Sequence, residues 1–261
     1  MRIPFTKYHG TGNDFVIIDD REENFDVHNV ELIHSMCDRR FGIGADGLIL
    51  LRNIEKYDFQ MVYFNSDGNQ SSMCGNGGRC IVQFAHSLGL FEKDCSFLAI
   101  DGEHEALVLE SKHIRLKMGD VNTISSDGNA LVLNTGSPHY VIQVENVADV
   151  NVKTKGALIR YSEQYAEEGI NVNFLECRPN GIVVATYERG VEDETFSCGT
   201  GVTASALAIH KLRAKEYQSP ISIATKGGNL KVYFKKLDEQ NYSDIWLEGP
   251  ATKTFEGVYP H

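Results

Sequence analysis

The chain has 261 residues, of which 42% are hydrophobic and 23% charged, the composition of a soluble globular protein. This length allows two domains of ordinary size, each with its own core. The net charge of −11, without any basic cluster, argues against nucleic-acid binding. The longest apolar runs, such as Leu48–Leu51, are far too short to cross a membrane.

The N-terminal segment and the cysteines point to one compartment. Met1–Lys7 lacks the apolar core of a signal peptide, so we expect a cytoplasmic protein. In that reducing compartment the six cysteines are expected to be thiols rather than disulfides. None of them forms a Cys-x-x-Cys pair, which argues against structural zinc and against thioredoxin-like chemistry.

Taken along the chain, the pattern predicts many short strands and few helices. Helical periodicity is found mainly near Val30–Asp38 and in the segments that follow Cys74 and Cys198. Short β-branched runs bounded by Gly, Asp and Asn predict strands. Examples of these runs are Phe15–Asp19, Leu48–Leu51, Met61–Phe64, Ile114–Met118, Tyr140–Val144 and Ile182–Tyr187.

Two cysteines open two copies of one pattern, Cys-Gly-x-Gly, each followed by a helix-like segment. The copies are Cys74-Gly75-Asn76-Gly77 and Cys198-Gly199-Thr200-Gly201. A histidine and a leucine recur at matching distances past each cysteine, and two β-like runs joined by a glycine turn follow in both copies. The halves are therefore predicted to be diverged repeats. We expect an α+β protein of two similar domains, 1–118 and 119–252, each with strands around a central helix.

A cysteine at the first turn of a helix is well placed for proton transfer. The helix dipole and the unpaired amides lower the pKa of such a thiol and also suit a carboxylate. If Cys74 and Cys198 act on one substrate, a thiolate can remove the α-proton while the other thiol protonates the opposite face. The stereocentre then inverts without redox change, metal or cofactor.

The alternative is that both cysteines are small, buried helix caps. The duplication at matching register favours the catalytic interpretation. The remaining cysteines lack the glycine context and are expected to be structural; they are Cys37, Cys80, Cys95 and Cys177.

Several further segments accompany the two cysteine patterns. They are Gly10–Phe15, Asn65–Gly68, Met73–Cys80, Gly136–His139, Asn171–Phe174 and Tyr187–Gly190. Each segment is weak alone, but in this order and spacing they make the whole chain resemble the pyridoxal-phosphate-independent diaminopimelate epimerases. The resemblance implies two pseudo-symmetric domains, each a mostly antiparallel strand layer or barrel around a central helix. It also implies that the tail, about 253–261, returns to the first domain.

The resemblance implies an isomerase that interconverts L,L- and meso-diaminopimelate in lysine and cell-wall precursor biosynthesis, without cofactor or metal. The expected partner of the protein is the small-molecule substrate, and no binding to nucleic acid or membrane is expected. A homodimer is compatible with this interpretation. Cys74 and Cys198 are then the acid/base pair, with His139 and Glu188 beside the thiols. The side chains expected to bind the second amino-acid head group of the substrate are those of Asn13, Asn65, Asn171, Glu188 and Arg189. The backbone amides expected to bind the reacting carboxylate are those of Gly75, Asn76, Gly199 and Thr200.

Two positions depart from the commonest family pattern. Gly47 stands where many members carry Gln, and Ser137 stands where many carry Asn. Both lie on the substrate side, so we expect rearranged or water-mediated distal contacts rather than a different reaction.

Three alternatives remain open from the sequence. A two-cysteine racemase for proline or hydroxyproline is the nearest, but Glu188, Arg189 and the asparagines favour a substrate with two charged ends. A phenazine-pathway type of isomerase shares the fold but lacks paired cysteines. A noncatalytic small-molecule binder on the same scaffold has no need of two reactive thiols.

Overall fold

The computed structural model describes residues 2–260, which fold as two compact units. Unit 1 consists of residues 2–116 and 249–260, and unit 2 consists of residues 117–248. The predicted domain limits, at 118 and at about 253, lie a few residues from these bounds. The strands and helices of both units confirm the predicted α+β class.

Unit 1 is a mixed, mostly antiparallel strand layer with helix α2 packed against it. Its helices are α1 (Val30–Cys37) and α2 (Gly75–Ser87). Its strands are β1 (Arg2–Gly10), β2 (Asn13–Asp19), β3 (Gly47–Arg52), β4 (Phe59–Asn65), β5 (Asp94–Ala99), β6 (Gly102–Val108), β7 (His113–Met118) and β17 (Thr252–Pro260). The strands pair in the order β17, β1, β2, β3, β4, β5, β6, β7; the pairs β2–β3 and β4–β5 are parallel and the others antiparallel.

Both faces of strands β2 and β3 are buried. Leu32 and Met36 of α1 belong to one core cluster with Val16 and Leu48, while α2 packs against β1, β2, β3 and β6. Strands covered on both sides are continuous apolar runs, as these two are in the sequence. The predicted helices near residue 30 and after Cys74 are confirmed, as are the strand predictions in this unit.

Unit 2 has the same kind of layer, with helix α4 against it. Its helices are α3 (Val152–Arg160) and α4 (Gly199–Arg213). Its strands are β8 (Ile124–Asp127), β9 (Ala130–Asn134), β10 (Pro138–Val144), β11 (Asn171–Arg178), β12 (Gly181–Glu188), β13 (Asp193–Thr195), β14 (Ile221–Thr225), β15 (Gly228–Lys236) and β16 (Tyr242–Pro250). The main order is β8, β9, β10, β11, β12, β14, β15, β16, with parallel pairs at β10–β11 and β12–β14.

The two units repeat one order of elements. The series β1, β2, α1, β3, β4, α2, β5, β6 and β7 in unit 1 corresponds to β9, β10, α3, β11, β12, α4, β14, β15 and β16 in unit 2. The strand register agrees as well. In unit 1, Phe15 pairs with Gly47 and Ile17 with Ile49. At the equivalent positions of unit 2, His139 pairs with Asn171 and Val141 with Asn173. Helix α3, which the periodicity did not predict, is the counterpart of α1.

Among the residues that the model describes, none of the helices is both long and apolar enough to span a membrane.

Candidate active site

Each of the two predicted cysteines is the residue that caps a helix at its N-terminus. Cys74 and Cys198 both have extended backbone angles, φ −97° and ψ 133° for the first and φ −117° and ψ 114° for the second. Their carbonyl oxygens accept the N–H of Gly78 at 2.7 Å and of Val202 at 2.9 Å, which begins the helical ladder. Each thiol therefore lies beside first-turn amides that the helix itself leaves without an intrahelical acceptor.

In unit 1, three of the predicted site residues lie together. The Cys74 thiol donates to Asn13 Oδ1 at 3.6 Å, and Asn76 Nδ2 donates to the same oxygen at 3.1 Å. Asn13 is the first residue of β2, and Asn76 lies in the first turn of α2. The turn between β1 and β2 thus brings a side-chain amide to the cysteine.

Two charged residues that the sequence did not single out hold these amides in one orientation. Arg79 Nη2 donates to Asn76 Oδ1 at 2.9 Å, and Asn13 Nδ2 donates to Asp46 Oδ2 at 2.6 Å. A guanidinium only donates and a carboxylate only accepts, so the polarity of the whole chain of hydrogen bonds follows from its two ends. The result is that the oxygen of Asn13, not its nitrogen, faces the Cys74 thiol.

Arg79 is completely buried in α2. Its guanidinium also donates to the carbonyl of Gly75 at 3.1 Å and to Thr11 Oγ1 at 3.2 Å. Burial lowers the pKa of Arg79, while negative charge on Cys80 or Cys74 acts to raise it. A buried cation therefore lies close to the first turn of this helix.

Asp46, the anionic end of this series of hydrogen bonds, belongs to a cluster of ion pairs. Asp14 accepts from Lys7 at 2.7 Å and from Arg39 at 2.7 Å, and Arg39 also donates to Asp46 at 2.5 Å. Burial acts to raise the pKa of Asp14, but the hydrogen bonds from Arg39 and Lys7 outweigh it and lower the pKa to about 2. The cluster therefore keeps Asp14 ionised across the physiological range.

Gly47 and Asn65 form a cross-strand pair at the end of β4. A Cβ atom on Gly47 would lie 2.5 Å from the Phe64 carbonyl oxygen and 2.6 Å from the ring of Tyr63. This backbone arrangement leaves no room for a side chain at 47, which gives the departure from Gln a steric reason. Asn65 itself is exposed and begins a tight turn, where its carbonyl accepts from the Gly68 N–H at 2.9 Å.

In unit 2, His139 is completely buried and bonded to another strand residue. Its Nδ1 lies 3.1 Å from Asn173 Nδ2, and the Thr186 hydroxyl donates to Asn173 Oδ1 at 2.9 Å. Burial first, and then the positive charge of Arg189, lower the pKa of His139 to about 3. His139 is therefore neutral near pH 7, and its Nε2 has no hydrogen-bond partner among residues 2–260.

Two predicted substrate-binding residues, Asn171 and Arg189, lie together around Ser137. Asn171 Nδ2 donates to Ser137 Oγ at 2.8 Å and to the Pro138 carbonyl at 3.0 Å, and its Oδ1 accepts from the Arg189 backbone N–H at 2.9 Å. The Arg189 guanidinium donates to the Glu168 carbonyl at 2.7 Å and approaches Ser137 Oγ at 3.5 Å. Ser137, the second departure from the family pattern, is thus part of this polar group. Glu188 is the last residue of β12 and directly precedes Arg189.

Around the second cysteine, the contacts come from α4 and from the turn between β9 and β10. Cys198 Sγ and Thr200 Oγ1 lie 3.4 Å apart, and Thr135 Oγ1 donates to the Thr200 carbonyl at 2.8 Å. Gly199 is the first residue of the helix. The residues that sequence reasoning missed in both units are Asp46, Arg79, Asn173 and Thr186. Of these, Arg79 and Asn173 stand inside segments already singled out for the resemblance.

A family model described as diaminopimelate epimerase matches the chain twice, over residues 5–124 and 131–254. The diaminopimelate epimerase of Flavobacterium psychrophilum is 50% identical over 251 residues, which is 96% of this chain and 97% of that protein. The enzyme of the same name from Chlorobaculum tepidum is 42% identical over 258 residues, which is 95% of this chain and 98% of its own.

Solved structures with low sequence identity share the fold. A phenazine biosynthesis protein of the PhzF family from Bacillus anthracis has a TM-score of 0.77 at 15% identity and covers 100% of both chains. A hydroxyproline epimerase from Agrobacterium vitis, solved with trans-4-hydroxy-L-proline, has a TM-score of 0.66 at 14% identity, covering 99% of this chain and 92% of that one. At these identities the likeness extends to the fold alone.

Proposed function

Because the chain belongs to the diaminopimelate epimerase family, we propose that it is an isomerase that interconverts L,L- and meso-diaminopimelate. One observation carries the proposal beyond the family assignment. Each of the two repeats matched by the family model contains a helix capped by a cysteine, Cys74 in the first and Cys198 in the second. A reaction that removes a proton from one face of a carbon and returns one to the opposite face can use one such group on each side.

In the proposed reaction, one cysteine is the base and the other is the acid, and the roles reverse for the opposite epimer. The thiolate takes the α-proton, the electron pair stays on the α-carbon and its carboxylate, and the other thiol delivers a proton to the opposite face. The charge that develops on the carboxylate is to be stabilised by first-turn amides of Gly75 and Asn76 and of Gly199 and Thr200. Removing one donor from such a preorganised site typically costs about 3–4 kcal/mol.

The distal head group of the substrate is to be bound by the remaining polar residues. The Arg189 guanidinium can hold a carboxylate in a two-pronged hydrogen bond, and Glu188 can accept from an ammonium group. Two contacts of Arg189 support this assignment, because they hold the residue at both ends. Its backbone N–H donates to Asn171, and its guanidinium approaches the Ser137 hydroxyl. Asn13 and Asn65 complete the proposed set.

His139 enters the proposal as a neutral group, since its pKa is lowered to about 3. The wider context proposed is a cytoplasmic enzyme of lysine and cell-wall precursor biosynthesis. It acts on a small molecule without a cofactor or metal, and binds neither nucleic acid nor membrane. A homodimer is compatible with it.

The test uses reduced protein, L,L-diaminopimelate and deuterated water, with stereochemistry and α-deuterium followed by NMR. The wild type is expected to form the meso epimer with deuterium at the inverted carbon, and Cys74→Ala and Cys198→Ala are each expected to lose this conversion. Cys80→Ala is the matched control, because Cys80 lies in the same helix as the first thiol and burial raises its pKa.

Conversion that survives in either cysteine variant would overturn the two-thiol mechanism. A reduced wild type that exchanges no α-proton of diaminopimelate, yet exchanges that of proline or hydroxyproline, would assign the chain to the racemase alternative. Tight binding without exchange in any of these amino acids would support the binder.

A further inference from the structure

Three strand positions beneath the start of α4 hold hydrogen-bonded polar side chains, whereas the equivalent positions of unit 1 hold two aromatic residues and an isoleucine. In unit 2 they are His139, Asn173 and Thr186, linked by hydrogen bonds. The strand pairing of unit 1 places Phe15, Ile49 and Tyr63 at the same positions.

Two members of each trio lie against the glycine three residues after the cysteine: Phe15 and Ile49 against Gly77, and Asn173 and Thr186 against Gly201. A Cβ atom on Gly77 would lie 3.2 Å from Ile49 Cδ1, and one on Gly201 would lie 2.4 Å from Asn173 Oδ1. Asn173 and Thr186 are therefore in direct contact with the first turn of α4, and His139 is linked to that turn through Asn173. Because buried polar groups oppose folding unless they are hydrogen-bonded, a histidine, an asparagine and a threonine in place of Phe15, Ile49 and Tyr63 call for an explanation.

The orientation of the Asn173 amide follows from its neighbours. Its Nδ2 lies 3.2 Å from the Tyr140 carbonyl oxygen, which can only accept, so the nitrogen must be on that side. Its Oδ1 then faces the Thr186 hydroxyl, which donates to it at 2.9 Å. Both ends of the amide are thus determined by independent partners.

The tautomer of His139 follows in turn. Since Asn173 Nδ2 is a donor, His139 Nδ1 must accept, and the single proton of the neutral ring lies on Nε2. That N–H is buried and lacks an acceptor among the described residues. A buried donor without an acceptor is costly in the ligand-free protein, and it is suited to an anionic acceptor that arrives with a ligand.

We propose that Asn173 and Thr186 are positioning residues that hold His139 as a neutral imidazole protonated on Nε2, so that His139 donates a hydrogen bond at the active site and does not accept a proton. The proposal rests on the proposed function for the identity of the acceptor, a carboxylate or thiolate of the epimerase reaction. The tautomer itself does not depend on that function. Besides burial, the positive charge of Arg189 acts on His139 and disfavours the imidazolium form.

The experiment is long-range proton–nitrogen NMR on 15N-labelled protein without substrate, with the His139 signals assigned by their loss in His139→Gln. The wild type is expected to show a protonated Nε2 and an unprotonated Nδ1, unchanged between pH 5 and pH 8. A proton on Nδ1, or a titration of His139 within that range, would overturn the proposal. This measurement succeeds or fails without regard to epimerase activity.

Variants then connect the tautomer to catalysis. Thr186→Val removes the hydroxyl at nearly constant shape, and Thr186→Ser, which keeps it, is the matched control. Asn173→Asp replaces the donor by an acceptor, so His139 Nδ1 is expected to become protonated and the ring to titrate near neutral pH. The pH profile of kcat is then expected to gain a titration that the wild type lacks, while KM changes less than threefold.

A purely structural role predicts a loss of folded protein with an unchanged pH profile in the remainder. Circular dichroism and thermal melts identify that outcome. A purely structural outcome would refute the catalytic part of the proposal even if the NMR result stands. An Asn173→Asp variant in which His139 keeps the wild-type tautomer would refute both the catalytic part and the positioning role of Asn173.

Discussion

The starts of α2 and α4 are nearly the same in backbone and very different in surroundings. Both helices are capped by a cysteine, and in the first turn two glycines flank a polar residue. Beneath α2 the side chains of Phe15 and Tyr63 make an edge-to-face contact with centroids 5.9 Å apart, whereas beneath α4 the same positions hold His139 and Thr186. The duplicated fold therefore determines where each thiol stands, and the side chains around it have diverged independently.

The fifth residue past each cysteine shows the same divergence in charge. Arg79 in α2 and Thr203 in α4 are both completely buried. Arg79 brings a cation and several hydrogen bonds to the first turn, while Thr203 only donates to the Gly199 carbonyl at 2.9 Å. Two chemically identical thiols thus lie in different electrostatic environments.

The largest expected effect separates the two thiols by the epimer each one serves. With only one thiol left, proton removal and return occur on one face, so deuterium enters without inversion. Cys74→Ala is expected to exchange the α-proton of one epimer and Cys198→Ala that of the other, each at least a hundredfold faster than it inverts either. NMR of both epimers in deuterated water measures this, and exchange of the same epimer by both variants would contradict it.

Arg79→Met is expected to destabilise the protein by about 2–4 kcal/mol, because it leaves several buried acceptors without their donor. Thr203→Val at the equivalent position is expected to cost less than about 1 kcal/mol, since the Gly199 carbonyl loses only a side-chain donor. Urea denaturation of both variants tests the difference. Equal losses would show that the charge of Arg79 is not a distinguishing feature of unit 1.

Gly201→Ala is expected to destabilise by about 1–3 kcal/mol, because the new Cβ would lie 2.4 Å from Asn173 Oδ1. Gly77→Ala meets Ile49 at 3.2 Å, and the better helix propensity of alanine, about 1 kcal/mol, offsets part of that strain. Thermal melts are expected to rank Gly201→Ala below Gly77→Ala. The reverse order would place the tighter contact in unit 1.

Near neutral pH, the smallest effect is a pH dependence that unit 2 has and the equivalent apolar position of unit 1 lacks. The pKa of His139 is lowered to about 3 in the folded protein, so the unfolded chain binds its proton first as the pH falls from about 6.5. Folding stability is therefore lost between pH 6.5 and pH 3, by about 1 kcal/mol at pH 5.5. The unfolding free energy of His139→Gln should lack this component, and parallel pH curves for the two proteins would contradict it.

The sequence predicts the repeat, the helix at each cysteine and most strands well, because glycine patterns and short β-branched runs are local signals. Helix α3 escapes prediction because, apart from Val152 and Gly156, its residues are at least partly exposed, which leaves weak apolar periodicity. The position of α1 in the first repeat was the signal that could have placed it.

The residues that orient the predicted ones are harder to foresee. Asp46 and Thr186 reach Asn13 and Asn173 across distances of 33 and 13 residues in sequence. An aspartate in a turn or a threonine in a strand is ordinary in either place. Only the strand register, which the sequence alone does not reveal, shows that these side chains meet the site residues.

The pairing of β17 with β1 has a consequence for synthesis and folding. Unit 2 is continuous, so all its residues are synthesised before β17 is. Unit 1 has to wait, with the outer edge of β1 unpaired and open to other strands, until the last strand arrives. The nascent chain thus completes its second repeat before its first.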